Sequence, residues 1–332
     1  MNRIIIFIII SALFACTNSN KDAYNKLEGI ALGTTFHITY NDSLDQVKLS
    51  HIDSLIHLVN RSMSTYLPNS DISKINNGDS TIVVDEMFQE VFIKSKRIYG
   101  ESDGAFDPTI GILVNAWGFG PDESIENLDS VHIKSMLEFV GYDKIELKNN
   151  KIVKQYNKTY IDFNAIAKGY AVDVIGRFLE SKNIMNYLVE IGGEIRARGT
   201  NQSKKYWTVA IEEPNFDGSR SFQTTIELVN ESIATSGNYR KFKIDSKSGE
   251  KYAHTIDTKT GFPSKSNLLS ASVISELDCA DVDGYATAFM AMGLKKSKIF
   301  LAKHNELKVF LIYSDEKGEI NTYASKNLLL SK

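Results

Sequence analysis

Apolar residues along the chain follow two rhythms, one of period two and one near 3.6, and the rhythm switches often. Thr35 to Tyr40 (T-F-H-I-T-Y) alternates as a half-buried strand does. Leu44 to Ser62 has helical spacing through Leu44, Val47, Leu49, Ile52, Leu55, Ile56 and Val59, and Val84 to Tyr99 reads the same way. Lys144–Leu147, Ile152–Gln155 and Thr159–Phe163 read as short strands. Ala165 to Glu180 is the strongest helix, with Ile166, Ala167, Tyr170, Ala171, Val174, Ile175, Phe178 and Leu179 on one face. Strand-like runs then dominate, at Tyr187–Ile191, Glu194–Gly199, Trp207–Glu212, Phe222–Leu228 and Ser270–Ile274. A compact helix over Val282–Met292 and a strand over Lys308–Tyr313 close the pattern. Strands mixed with helices in no strict β-α-β order predict an α+β fold. The G-x-G-x-x-G fingerprint is absent, so a Rossmann domain is not supported.

The N-terminus follows neither rhythm. Asn2 and Arg3 precede an apolar run, Ile4 to Ile10, too short for a membrane span, which needs about 20 residues. Ser11, Ala12, Leu13, Phe14, Ala15 and Cys16 follow, with a small residue before the cut, the layout of a secretory signal. Leu13-Phe14-Ala15-Cys16 resembles a bacterial lipobox, whose cysteine is lipidated and becomes the new N-terminus. We therefore expect a signal peptide over 1–15, a polar tether over 16–26 and one domain over 27–332. Cys279 is the second of two cysteines, so no disulfide framework supports the fold. Net charge is -3, and about -4 once Arg3 is removed with the signal, which argues against nucleic acid as a partner.

Five clusters could carry chemistry, and each has a plain structural alternative. Ser102 to Gly111 contains Ala105-Phe106-Asp107-Pro108 and precedes Trp117-Gly118-Phe119-Gly120-Pro121; its glycines could admit a flat ligand, or Asp107 could simply cap a turn. Asp162 to Tyr170 joins a strand to a helix start, which favours phosphate beside Lys168 or else is an ordinary cap. Gly192-Gly193 makes a tight hairpin or a close approach to a ligand. His254, in His254-Thr255-Ile256-Asp257, could contact phosphate or move a proton, or be a surface or satisfied core histidine. Asp283 and Thr287 stand four apart on a helix and offer hard oxygens to magnesium or calcium, or else are a capping aspartate and a buried back-bonded threonine.

The succession is more telling than any member. L-G-T-T, M-S-T-Y, G-A-F-D-P-T-I-G with N-A-W-G-F-G-P, D-F-N-A-I-A-K-G-Y-A-V-D, E-I-G-G-E-I-R-A-R-G, A-T-S-G-N-Y-R, H-T-I-D-T-K-T-G and V-D-G-Y-A-T-A occur in this order from Leu32 to Ala288, within a likeness that runs from about Gly33 to Tyr313. Together they resemble the FAD:protein FMN transferase (ApbE) family. The resemblance implies an α+β fold with a T-fold-like (tunnelling-fold) core. It also implies FMN transfer from FAD to a Thr or Ser hydroxyl of another protein, with AMP leaving. It assigns the metal to Asp283, Thr287 and the main-chain oxygen of Ala165, with Mg2+ expected and Ca2+ or Mn2+ as alternatives. FAD contacts fall on Leu32, Tyr66, Ala105, Phe106, Asp107, Asp162, Lys168 and Ile256, with His254 as the candidate catalytic residue. Leu32 stands where a methionine is common, Lys168 where some relatives have glutamate, and Ala286 where some carry a further aspartate, for which Asp281 is the nearest substitute. Implied partners are acceptor flavoprotein subunits of a membrane redox complex, such as a sodium-translocating NADH:quinone reductase or an Rnf-type complex. The implied location is the periplasmic face of a membrane, through a lipid anchor on Cys16. FAD hydrolysis to FMN and AMP, and flavin binding without catalysis, are the alternative functions.

Overall fold

A computed structural model describes residues 24–125, 128–214, 221–238, 242–244 and 251–330. The signal segment, Cys16 and most of the tether lie outside them. The strands are β1 (Tyr24–Ala31), β2 (Thr34–Asn41), β3 (Ile145–Lys148), β4 (Lys151–Lys154), β5 (Tyr187–Ile191), β6 (Glu194–Arg198) and β7 (Trp207–Glu212). They continue with β8 (Phe222–Leu228), β9 (Ser232–Gly237), β10 (Phe242–Ile244), β11 (Lys251–Ala253), β12 (Leu268–Ser275), β13 (Lys308–Ser314) and β14 (Ile320–Ala324). The helices are α1 (Leu49–Met63), α2 (Asp71–Asn76), α3 (Glu86–Glu101), α4 (Gly111–Ala116), α5 (Ser130–Leu137), α6 (Ala167–Ser181) and α7 (Cys279–Leu301).

Eight strands form one open antiparallel sheet in the order β1-β2-β5-β6-β9-β12-β13-β14. The α+β expectation is met. Period-two alternation gives the sheet two buried faces. On β13, Val309 and Leu311 join Phe36, Ile38 and Val189 in the main core under α1, α3, α6 and α7. Phe310 and Ile312, the intervening residues, face Trp207, Val209, Ile226 and Leu228 of the β7–β8 ribbon. A third, smaller core gathers Leu113, Ile133, Val140 and Ile256.

Several boundaries differ from those the pattern predicts. The first helix starts at Leu49, not Leu44, because the Asp42 carboxylate accepts from the N–H groups of Leu44 and Gln46 and ties that stretch into a turn, with Asp45 at φ 50°. Residues 159–163 form no strand; Tyr160 makes a single parallel bridge to Ile110. β1 takes in Tyr24 to Lys26, assigned above to the tether, because they pair with Asn41 to Thr39 of β2. α7 runs past Met292 through a kink at Gly293 (φ 73°), where the apolar pattern breaks.

Candidate functional site

Two hairpin turns share one end of the sheet. Leu32 and Gly33 join β1 to β2 with φ 51° and 77°, the positive values a two-residue type I′ turn needs. A leucine there costs on the order of 1 kcal/mol, a strain found most often beside ligands. Gly192 and Gly193 join β5 to β6 beside it: the Gly192 N–H donates to the Thr35 carbonyl at 3.1 Å, and a Cβ on Gly192 would lie 2.7 Å from Thr34 Cγ2.

Beyond that turn, β6 aims two buried charges at the helical layer. Glu194 and Arg196 are two apart and so share a face. Glu194 Oε1 meets Lys168 Nζ at 2.6 Å, and Arg196 meets Asp173 at 2.9 Å, both partners lying on α6. Asp173 in turn accepts from the N–H groups of Cys279 and Ala280, capping α7 from a neighbouring helix. Burial pushes the Asp173 carboxyl up to about 7, a rise that Asp278 adds to and Arg196 opposes. Asp278 is gripped by Lys94, Arg177 and Arg196. None of this lattice was read from the sequence, although charged residues at alternate positions of a core strand, as in Glu194-Ile195-Arg196, are its signature.

The cap sets where α7 meets α6. At the contact a Cβ on Gly169 would sit 2.4 Å from the Cys279 carbonyl oxygen, so only glycine allows it. The Gly169 N–H donates to Asp283 Oδ2 at 3.0 Å. The first turn of α6 closes from Tyr170 N–H to the Ile166 carbonyl. Gly169 N–H is thus directed at Asp283 rather than back to Ala165, whose carbonyl sits just outside the helix. Asp283 is buried, which pushes its carboxyl up while the Lys168 ammonium pulls it down. Burial also disfavours the ammonium, but the Glu194 and Asp283 carboxylates outweigh it and hold Lys168 above its usual range. One turn on from Asp283, Thr287 Oγ1 lies 3.2 Å from Ser236 Oγ at the end of β9.

The donor set here is a carboxylate with one oxygen uncommitted to Gly169, a hydroxyl and a carbonyl at a helix start. Hard oxygens of this kind fit Mg2+, which fills the rest of its octahedron with water and phosphate oxygens. Among the described residues no cluster of three or more His, Cys, Asp or Glu is placed to bind a metal, so this would be an open site. Asp281 is no part of it: Lys94 holds it at 2.9 Å and Arg97 at 2.6 Å, on the α3 side. Two positions apart on a helix, Asp281 and Asp283 face different ways.

The remaining candidates fall into three neighbourhoods. Asp162 lies near Tyr66, whose hydroxyl is raised by its own partial burial and by the charge on Asp162, and the ring is 59% exposed. Asn164 joins this corner through Thr65 Oγ1 and through the Asp162 carboxylate, which accepts the Asn164 N–H. Asp162 N–H donates to the Pro108 carbonyl, attaching the A-F-D-P loop alongside. Within that loop the Asp107 carboxylate accepts from the backbone N–H and the hydroxyl of Thr109, so Asp107 caps its own turn. Phe106 is buried in the main core, with its N–H donating to Ser102 Oγ, and Ile256 is buried in the smallest core. Ala105 borders a cleft of about 250 Å³ shared with Asp257, Thr258 and Met292. His254 sits edge-on to Phe119, ring centres 6.4 Å apart.

Comparison with known proteins gives one answer. Residues 32–311 match the model of the ApbE family. The chain is 35% identical to the FAD:protein FMN transferase of Haemophilus influenzae over 95% of its length and 93% of that protein's. It is 36% identical to the one from Vibrio cholerae, over 91% and 90%. Among solved structures, the flavin transferase ApbE from Vibrio cholerae superposes with a TM-score of 0.81 at 34% identity, over 92% of this chain and 97% of that one. The apo flavinyl transferase ApbE of Pseudomonas stutzeri gives 0.81 at 28% identity, over 92% and 95%.

Proposed function

The chain belongs to the ApbE family and is a flavin transferase, and we propose that it moves FMN from FAD onto a threonine or serine hydroxyl of another protein in a magnesium-dependent reaction. The observation that carries the metal reading is the pairing of a buried Asp283, fixed by the Gly169 N–H, with Thr287 one turn on, where α6 begins. In the reaction the acceptor hydroxyl oxygen bonds to the flavin-side phosphorus. The pyrophosphate P–O bond breaks, AMP leaves and the hydroxyl proton is released. Asp283, Thr287 and the Ala165 carbonyl would hold Mg2+, which supplies charge neutralisation at the pyrophosphate when bound.

The protein's own part is placement. Gly169 N–H keeps the Asp283 carboxylate from rotating, and Asp173 keeps α7 in register by capping it. The Tyr66 ring offers a face for a flat heterocycle. His254 is the candidate to take the hydroxyl proton. The described residues show no side chain prepared to form a covalent flavin intermediate, which favours direct transfer. The acceptor's class is a flavoprotein subunit of a membrane redox complex, of the sodium-translocating NADH:quinone reductase or Rnf type. We propose that Cys16 carries lipid and holds the enzyme on the periplasmic face; loss of membrane fractionation in Cys16→Ser tests this. No helix of the described residues is long and apolar enough to cross a membrane.

The function is tested by incubating the soluble domain with FAD, Mg2+ and an acceptor protein, beside an acceptor whose target hydroxyl is removed. Mass increase of the first acceptor by one FMN less one water, with AMP in equal amount, is the expected result. Equal AMP release with both acceptors and no protein-bound flavin would make the enzyme an FAD pyrophosphatase instead.

A further inference from the structure

We propose that the Lys168 ammonium is a built-in counter-cation of the Asp283 pocket, held in place by Glu194, and that it limits how tightly the FAD-free protein takes up a divalent cation. The inference rests on the reading of Asp283 and Thr287 as metal ligands given above.

Two buried carboxylates share this corner, and the ammonium is the cation beside them. Glu194 is 3% exposed; its Oε1 holds Lys168 Nζ at 2.6 Å, while its Oε2 is fully buried with no hydrogen-bond partner. Asp283 is equally buried and takes the N–H of Gly169, the residue next to Lys168, so the ammonium springs from the same helical turn that grips Asp283. A buried carboxylate without a cation is strongly unfavourable, and Coulombic attraction to Lys168 acts on both. The other charged groups nearby are already matched: Asp173 is paired with Arg196 and caps α7.

A divalent cation arriving at Asp283 meets a like charge. To admit it, the ammonium, which already rests on Glu194, must settle more closely against that carboxylate. The unpartnered Oε2 can accept a second of the ammonium's three N–H groups. The arrangement keeps the fold intact without metal and makes cation uptake weak until substrate phosphate contributes further ligands.

The test uses Mn2+ alone, without FAD, titrated by calorimetry into the parent, Lys168→Met, Lys168→Met/Glu194→Gln and Asp283→Ala. Each variant is also melted with and without Mn2+. The parent should show binding that Asp283→Ala removes. Lys168→Met should melt lower without metal, bind Mn2+ roughly tenfold tighter or more, and recover more of its melting temperature on adding Mn2+ than the parent gains. The double variant should regain part of the metal-free melting temperature and still bind tighter than the parent, because the ammonium is gone and no lone Glu194 charge remains, while Asp283 stays without its cation. If Lys168→Met does not fold, the double variant decides. Asp283-dependent binding that is unchanged or weaker without Lys168 overturns the counter-cation role alone. Absence of any Asp283-dependent binding overturns both this role and the metal reading beneath it.

Discussion

Replacing Gly169 by alanine adds one methyl group at the closest approach of α6 and α7. The new Cβ would lie 2.4 Å from the Cys279 carbonyl oxygen, 2.7 Å from its carbon and 2.9 Å from Ala280 Cα. All three are backbone atoms, so no side-chain rotation relieves the clash and the helices must part. Overpacking of this kind costs about 1 to 3 kcal/mol. Parting also stretches the Gly169 N–H bond to the Asp283 carboxylate, which is worth about 1.5 to 3 kcal/mol as a bond to a charged group. With partial relaxation of each, the loss should be about 2 to 4 kcal/mol, or roughly 3 to 6 °C in melting temperature for a domain of this size. Gly100→Ala is the matched control. Gly100 lies in α3 with nothing within 4 Å of a new Cβ, so the same change should stabilise by about 0.5 to 1 kcal/mol. Differential scanning fluorimetry and flavin transfer, measured on both variants, check the pair. A Gly169→Ala protein as stable and as active as the parent would refute the helix contact as the element that positions Asp283.

Other outcomes follow from the same geometry. Asp173→Ala leaves Arg196 short of a buried partner and the start of α7 uncapped, and should cost about 3 to 5 kcal/mol in urea unfolding with an unchanged slope. Asp283→Ala should lower transfer at least about a thousandfold, as several kcal/mol of metal stabilisation are lost, while lowering stability by no more than the lost Gly169 bond, about 1.5 to 3 kcal/mol, because the Lys168–Glu194 pair stays intact. Burial raises the Asp107 carboxyl to about 6 from 3.8, so the folded state holds this proton more readily than the unfolded one. The stability that follows is full below pH 4 and lost as pH rises through 6. Asp107→Asn should therefore gain about 1 kcal/mol less than the parent between pH 7 and pH 5, by denaturant unfolding at each pH.

Much of the architecture can be read from the pattern of apolar residues. β5, β7 and β8 fall where alternation places them, and Tyr170, Ala171, Val174 and Ile175 on the apolar face of α6 are buried, as are Val172, Asp173 and Gly176 beyond that face. The strand at 159–163 fails because alternation there reflects burial beside the A-F-D-P loop, not pairing in a ladder. α7 is cut short in the pattern because Gly293 turns its second half onto a different face. At the site, i and i+4 spacing suffices to link Asp283 with Thr287. That Asp283 depends on Gly169, and Lys168 on Glu194, could not be read, because these contacts join α6 to α7 and to β6 across more than twenty residues. Spacing also cannot separate Asp281 from Asp283; Lys94 and Arg97 on α3 do so in space.

The metal site proposed at the junction of α6 and α7 is tested most directly by anomalous diffraction. Crystals of the enzyme with FAD and Mn2+ should give a manganese peak about 2.0 to 2.3 Å from an Asp283 carboxylate oxygen, Thr287 Oγ1 and the Ala165 carbonyl oxygen, touching the FAD pyrophosphate on its open side. A well-ordered FAD whose pyrophosphate lies away from Asp283, or a manganese peak bound through other residues, would contradict it.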